Sequence, residues 1–188
     1  ELQIIEQEYP VTVDPSRSRN SRYRIRDQLF AFWFRFVHGR SSRYEVFGSD
    51  AYDELVEPQL PDFVSSSFEQ LCRRAVLYEY GDGYTFTEPP GRWWDTEGRE
   101  IDIVAPTNGD TLLVGEAKFQ QRPMGYDVLA RLEREAPEVE WSPTDGDVTY
   151  EYALFSRSGF ASSLEEAAAE RDDLGLFTVE DVVATLSE

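Results

Sequence analysis

Glu100-Ile-Asp-Ile-Val-Ala105, a turn at Asn108-Gly109-Asp110, and Leu112-Leu-Val-Gly-Glu-Ala-Lys-Phe119 decide the reading of this chain. Two aliphatic runs joined by Asn-Gly predict a β-hairpin. Side chains alternate along a strand, so Glu116 and Lys118 share one face and Gly115 and Ala117 the other. With the turn closed near Asn108-Gly109, Asp102 comes within reach of Glu116. Two carboxylates about 4 Å apart repel by about 4 kcal/mol at an effective dielectric near 20. A proton, the Lys118 ammonium or a divalent cation must offset that. Hard oxygen donors at this density suit Mg²⁺ (or Mn²⁺), which keeps several waters and takes one or two carboxylates. Such a cation polarises a phosphoryl oxygen and makes water a better nucleophile, and a neighbouring Lys orients that water or offsets developing charge.

On the N-terminal side of the hairpin, Val64, Phe68, Leu71, Cys72, Ala75 and Val76 recur at helical spacing, so a helix is expected from Pro61 to about Tyr80. Gly91-Arg-Trp-Trp94 reads as an extended segment before a turn at Thr96-Glu-Gly98. On the C-terminal side the pattern predicts a helix over Met124–Ala136 and a strand over 148–156. Next come a helix over Ser162–Arg171 with Ser163 and Glu166 as its capping box, a short strand from Leu176, and a terminal helix from Val179. Residues 1–26 read as two short strands around a turn-rich loop from Pro10 to Ser21. Asp27 is expected to cap a helix reaching Val37, apolar nearly all round and therefore buried. A short helix is expected near Asp50–Val56. The chain thus divides into residues 1–60 and 61–188.

The charge is lopsided. Acids number 37 and bases 18, for a formal net charge of −19 over 188 residues. Seventeen of the bases are Arg, and Lys118 is the only Lys. That combination fits a halophile's cytoplasmic protein, in which molar salt shortens the Debye length to about 3 Å and silences self-repulsion. Basic clusters then carry information: from Pro15 to Arg43 there are eight Arg and one acid. Arg17, Arg19, Arg22 and Arg24 are read as a phosphate-contacting wing, the alternative being a solvated hairpin. One Cys and one His exclude an intrachain disulfide and a Cys- or His-rich metal site. The longest apolar run, Leu29–Phe34, is too short to span a bilayer. The first residue is Glu1 rather than Met, as expected of a fragment or processed chain.

The order helix, three strands, helix, strand resembles the PD-(D/E)XK nuclease superfamily. The resemblance matches Asp102 to the aspartate of that motif and Glu116-Ala117-Lys118 to its (D/E)XK part. Glu69, on the preceding helix, matches the acidic residue that many members place beside the metal. Ile101 stands where the motif's proline would be. Most of the chain also looks like the C-terminal region of archaeal AAA-type P-loop ATPases. The matching pieces are Ser16-Arg-Ser-Arg-Asn20, Tyr23-Arg-Ile-Arg-Asp27, Phe32-Trp-Phe-Arg-Phe-Val37, Trp93-Trp94 and Leu154-Phe-Ser-Arg-Ser-Gly-Phe160. In that family an ATPase module precedes a winged helix, and a nuclease-like domain ends the chain. There is no Gly-x-x-x-x-Gly-Lys-Ser/Thr loop here, so the ATPase module would lie elsewhere on the full-length chain.

The resemblance implies an α/β fold with a restriction-endonuclease-like core and a small N-terminal hairpin and helical extension. It implies divalent-metal-dependent DNA hydrolysis, with Asp102, Glu116 and Glu69 holding the metal and Lys118 acting on water or transition state. Two readings compete: a non-cutting nucleic-acid-binding or ATPase-regulating module on the same scaffold, and a partner-docking domain that binds neither metal nor DNA. Individual residues have plainer alternatives too. Asp102, Glu116 and Lys118 could form a surface ion-pair cluster, and Glu69 could pair with Arg73 one turn on. Trp93-Trp94 is expected to be sheet packing, Cys72 a small buried apolar residue, and His38 a helix-end residue.

Overall fold

The computed structural model describes residues 4–143 and 146–187. Residues 1–3, the first of the expected N-terminal part, lie outside that range, as do 144, 145 and 188. Among the described residues, a two-stranded hairpin, β1 (Ile5–Glu8) and β2 (Arg22–Ile25), precedes a helical stretch. That stretch holds α1 (Gln28–Phe32), a wider π-helical turn over Trp33–Val37, α2 (Ser41–Phe47) and α3 (Ser49–Leu55). The long helix α4 (Leu60–Glu79) leads into a five-stranded sheet: β3 (Gly91–Trp94), β4 (Glu100–Pro106), β5 (Thr111–Lys118), β6 (Thr149–Ser156) and β7 (Leu174–Thr178), in that spatial order. β3, β4 and β5 run antiparallel, whereas β5, β6 and β7 are parallel. Helices α5 (Tyr126–Glu135), α6 (Ser162–Ala169) and α7 (Val179–Thr185) connect or follow the parallel strands. The molecule is therefore mixed α/β, as expected.

Both sheet faces are buried, which is why β5 reads as a continuous apolar run rather than an alternating one. On one face Leu112, Val114 and Leu154 pack under Leu129 and Leu132 of α5 and Leu164 of α6. On the other, Ile103, Leu113 and Phe155 meet Phe68, Cys72 and Val76 of α4 and Val182 of α7. Trp93 and Trp94 are buried, as sheet packing requires. Gly115 is required by a close approach: a Cβ there would lie 2.5 Å from the Ala153 carbonyl oxygen.

Two expectations need correction. The helix beginning at Gln28 is capped by Asp27, which accepts from the Phe30 amide at 3.0 Å, but it is not buried. Only Phe36 is enclosed, while Leu29, Phe30, Trp33 and Phe34 are exposed. A helix apolar all round finds cover on one side only, because only Phe63 of α4 packs its ring against Phe32 and Phe36. The capping box is also elsewhere. α6 starts after Ala161 with no side-chain cap, whereas Thr178 and Asp181 form a reciprocal box at α7. No helix among the described residues is long and apolar enough to cross a membrane.

Candidate active site

The sheet opens at Asp102. Toward β3, Gly91 pairs with Val104 but Trp93 pairs with Ile101, so Asp102 and Ile103 together lie opposite Arg92. This is a β-bulge, the usual device for re-aiming a side chain beside a site. Its signature is the break in alternation: Ile101 and Val104 belong to the layer under α5, Ile103 and Ala105 to the layer under α4. Toward β5 the registered ladder ends at Ile103–Gly115, and one further step sets Asp102 against Glu116. From there side chains take over. The Ala117 amide donates to Asp102 Oδ2 at 3.2 Å, and Arg73 Nη1 donates to the Asp102 carbonyl at 2.7 Å.

Glu116 is 3% exposed. Its Oε1 accepts from Lys118 Nζ and lies 2.6 Å from Arg131 Nη2 of α5. Its Oε2 is buried with no hydrogen-bond partner among the described residues. Burial, and then the charge of Asp102, push the Glu116 carboxyl up to about 7, against the pull of Lys118 and Arg131. Lys118 and Glu116 thus share a face as the alternation predicted. Arg131 joins them from outside the hairpin pattern, thirteen residues beyond Lys118 on another element. Only the helical spacing of Asp127, Arg131 and Arg134 hinted at it.

These groups floor a cleft of about 790 Å³ between the hairpin and α5, lined among others by Glu100, Asp102, Glu116, Lys118, Arg122 and Arg131. Glu69 does not line it. It comes from α4 on the other sheet face, and its carboxylate is held by Arg92 of β3 rather than by Arg73. Burial and the charge of Asp102 raise its pKa, so Glu69 still lies within the electrostatic reach of Asp102. Arg92 Nε also lies 3.3 Å from Glu100, which in turn meets Arg22 Nη1 at 2.9 Å.

That chain of charges consumes part of the expected wing. Arg22 stacks over Trp94 at 4.5 Å besides pairing with Glu100, and Arg24 is clasped by Glu6 and Glu8. Arg17 lies 3.4 Å from Asp14, and Arg19 is exposed. Cys72 is buried and free, and burial pushes its thiol up. His38 sits at a helix end against Trp33 and Phe34. Ser156 and Ser158 brace turns, donating to the carbonyls of Gly159 and Gln120 at 2.7 Å each.

Among the described residues no three Asp, Glu, His or Cys side chains converge as a metal cage. The donors that do converge are the Asp102 and Glu116 carboxylates. Two carboxylates, one of them with an unpartnered oxygen (Glu116 Oε2), fit a hard cation that completes its shell with water and substrate oxygens. They do not fit a soft or His-dependent metal.

Fold and site together define a mixed α/β domain with a carboxylate–lysine cleft at the end of a bulged hairpin. The chain belongs to the family DUF234, archaeal and bacterial proteins of unknown function, which its residues 33–136 match. The matched stretch runs from the π-helical turn through α5 and includes Asp102, Glu116, Lys118 and Arg131. The chain is also similar to the uncharacterized protein MJECL04 of Methanocaldococcus jannaschii, 29% identical over 114 residues, which are 58% of this chain and 25% of the relative. It therefore spans about a quarter of that relative's length. No solved structure matches it.

Proposed function

We propose that this domain hydrolyses phosphodiester bonds in DNA with the help of Mg²⁺ or Mn²⁺, on a restriction-endonuclease-like core. One observation carries the reading: a buried Glu116 with an unpartnered oxygen lies beside Asp102, with Lys118 on the same face, in an open cleft. Asp102 and Glu116 would hold the cation, which supplies Lewis-acid polarisation of the phosphoryl group when bound. Lys118 holds its ammonium beside the pair, placed to orient water and to offset charge that develops on phosphorus oxygens. Glu69, fixed by Arg92, stands on the neighbouring helix within electrostatic reach of Asp102. The relative's extra length leaves room for an ATPase module on the full-length chain, and the domain is proposed to work beside one.

A second reading draws on a different detail. Glu116 Oε1 is already gripped by Lys118 and Arg131. A closed ion cluster of that kind also suits a non-cutting nucleic-acid-binding or ATPase-regulating module.

Calorimetry and plasmid cleavage separate the two. Asp102→Asn is expected to abolish Mg²⁺ or Mn²⁺ binding with folding retained, and to end cleavage. Unchanged metal affinity would remove Asp102 as a ligand. Absence of wild-type cleavage with either ion on any DNA form would favour the non-cutting module.

A further inference from the structure

Most arginines in this molecule are spoken for. Arg22, Arg24, Arg92, Arg99 and Arg171 each pair with at least one carboxylate. Arg131 holds two, Glu116 and Glu135. Arg122 and Arg134 differ. Both line the cleft, both are exposed, and neither makes an ion pair among the described residues. Arg19, Arg35, Arg74 and Arg157 also make no ion pair among the described residues, but of these six only Arg122 and Arg134 line the cleft, where their guanidinium groups stand free to meet an incoming anion.

Their placement is built. The loop carrying Arg122 is pinned on both sides of it. Ser158 Oγ donates to the Gln120 carbonyl at 2.7 Å, and Met124 bridges to the segment around Phe160 through its amide and carbonyl, each at 2.9 Å. Arg134 stands on α5 three residues from Arg131, hence on the same helical flank. The two cations therefore sit on scaffolded elements along the wall facing Asp102 and Glu116.

The local charge agrees. The cleft lining carries four carboxylates and four cations, a neutral patch on a molecule of net −19. A divalent cation bound at the floor would make it net positive. Even without that ion, a polyanion repelled by the rest of the surface meets no net repulsion there and finds two unpaired guanidinium groups. The N-terminal hairpin offers less, since Arg22 and Arg24 are neutralised by Glu100, Glu6 and Glu8.

We infer that Arg122 and Arg134 form the phosphate-holding wall of the cleft, gripping successive phosphodiester groups of a nucleic-acid strand as it crosses the Asp102–Glu116 pair. The fate of that strand rests on the nuclease reading above; its binding does not. A guanidinium suits the task because its planar fork meets phosphate oxygens in pairs.

Binding is measured in EDTA, where no divalent ion is present, using labelled duplex DNA, single-stranded DNA and single-stranded RNA. Salt is varied upward from the lowest concentration that keeps the protein folded. Arg122→Gln with Arg134→Gln is expected to reduce the slope of log K against log salt by about 2, since each phosphate contact contributes nearly one. The ligand that binds most tightly identifies the kind of strand. A charge-matched control, Arg35→Gln with Arg74→Gln, lies outside the cleft and is expected to leave the slope within error. Arg122→Lys with Arg134→Lys is expected to restore most of the slope and part of the affinity. Equal losses in the cleft and control variants, an unchanged slope, or no wild-type binding to any of the three strands overturns the inference. Cleavage assayed separately with Mg²⁺ or Mn²⁺ keeps the two ideas apart. A slope change without cleavage leaves the wall standing and sinks the nuclease, and cleavage without a slope change does the reverse.

Discussion

Glu116 concentrates the chemistry of the molecule in one side chain. Its carboxyl, ordinarily near 4.5, is pushed up to about 7 chiefly by burial. Below about pH 4.5 folded and unfolded chains both hold the proton. Between there and about pH 7 the unfolded chain releases it first, so stability falls as pH rises; above that the loss is complete. At about 1.4 kcal/mol per tenfold difference in proton affinity, the fall is at most about 3 kcal/mol. Glu69, also raised, acts in the same direction. Glu116→Gln is therefore expected to flatten the melting temperature between about pH 5 and pH 8 relative to wild type. Superimposable pH profiles would contradict the burial argument. Lys118 is tested by kinetics. Lys118→Ala is expected to slow cleavage about 10²-fold or more with metal binding retained, because its work falls mainly in the transition state. Lys118→Arg keeps the charge but not the compact shape or the tunable pKa, so it too is expected to be badly impaired. A fully active Arg variant would reduce Lys118 to an electrostatic role.

At the scale of elements, the β4 bulge and the first helix show opposite outcomes of the same apolar sequence. β4 is enclosed on both faces, and its one irregularity aims a carboxylate into the cleft. The stretch from Gln28 to Val37 is as apolar, yet α4 covers only one side of it. Phe36 is fully enclosed, whereas Leu29 is 76% exposed. Phe36→Ala is thus expected to cost about 3 kcal/mol or more in denaturant unfolding. Leu29→Ala is expected to cost under about 1 kcal/mol, since it vacates no cavity. Equal costs would mean that the stretch is covered in solution.

Over the whole molecule, the N-terminal hairpin is stitched to the sheet edge rather than tethered beside it. The Val11 amide donates to the Arg92 carbonyl at 3.0 Å, and Trp94 Nε1 donates to Asn20 Oδ1 at 2.8 Å. Through Arg22, Glu100 and Arg92 the hairpin is linked electrostatically to Glu69, on the far side of Asp102 from the cleft. The net charge of −19 works against all of this by self-repulsion. Raising KCl from about 0.1 M to about 2 M, which shortens the Debye length several-fold, is expected to raise the melting temperature. A melting temperature that falls or stays level with salt would mean that the ion pairs outweigh the repulsion.

Local pattern carried a good part of this molecule. The Asn108-Gly109 turn, the alternation that puts Lys118 beside Glu116, the stripe of α4 and the cap at Asp27 depend on neighbours a few residues apart, and period and turn chemistry record such neighbours directly. Gly39, at φ +73°, stops the first helical stretch as its position suggests. Contacts made by folding left no such trace. The bulge at Asp102 depends on how β4 pairs with β3, a separate strand. Arg131 reaches Glu116 only because α5 packs back over β5. Arg92 claims Glu69 from another sheet element, and Arg22 is claimed by Glu100, 78 residues away. The exposure of Leu29 has the same cause. A residue's apolarity is written in the chain, but what covers it is set by the packing of distant elements, and so is the neutralisation of each charge.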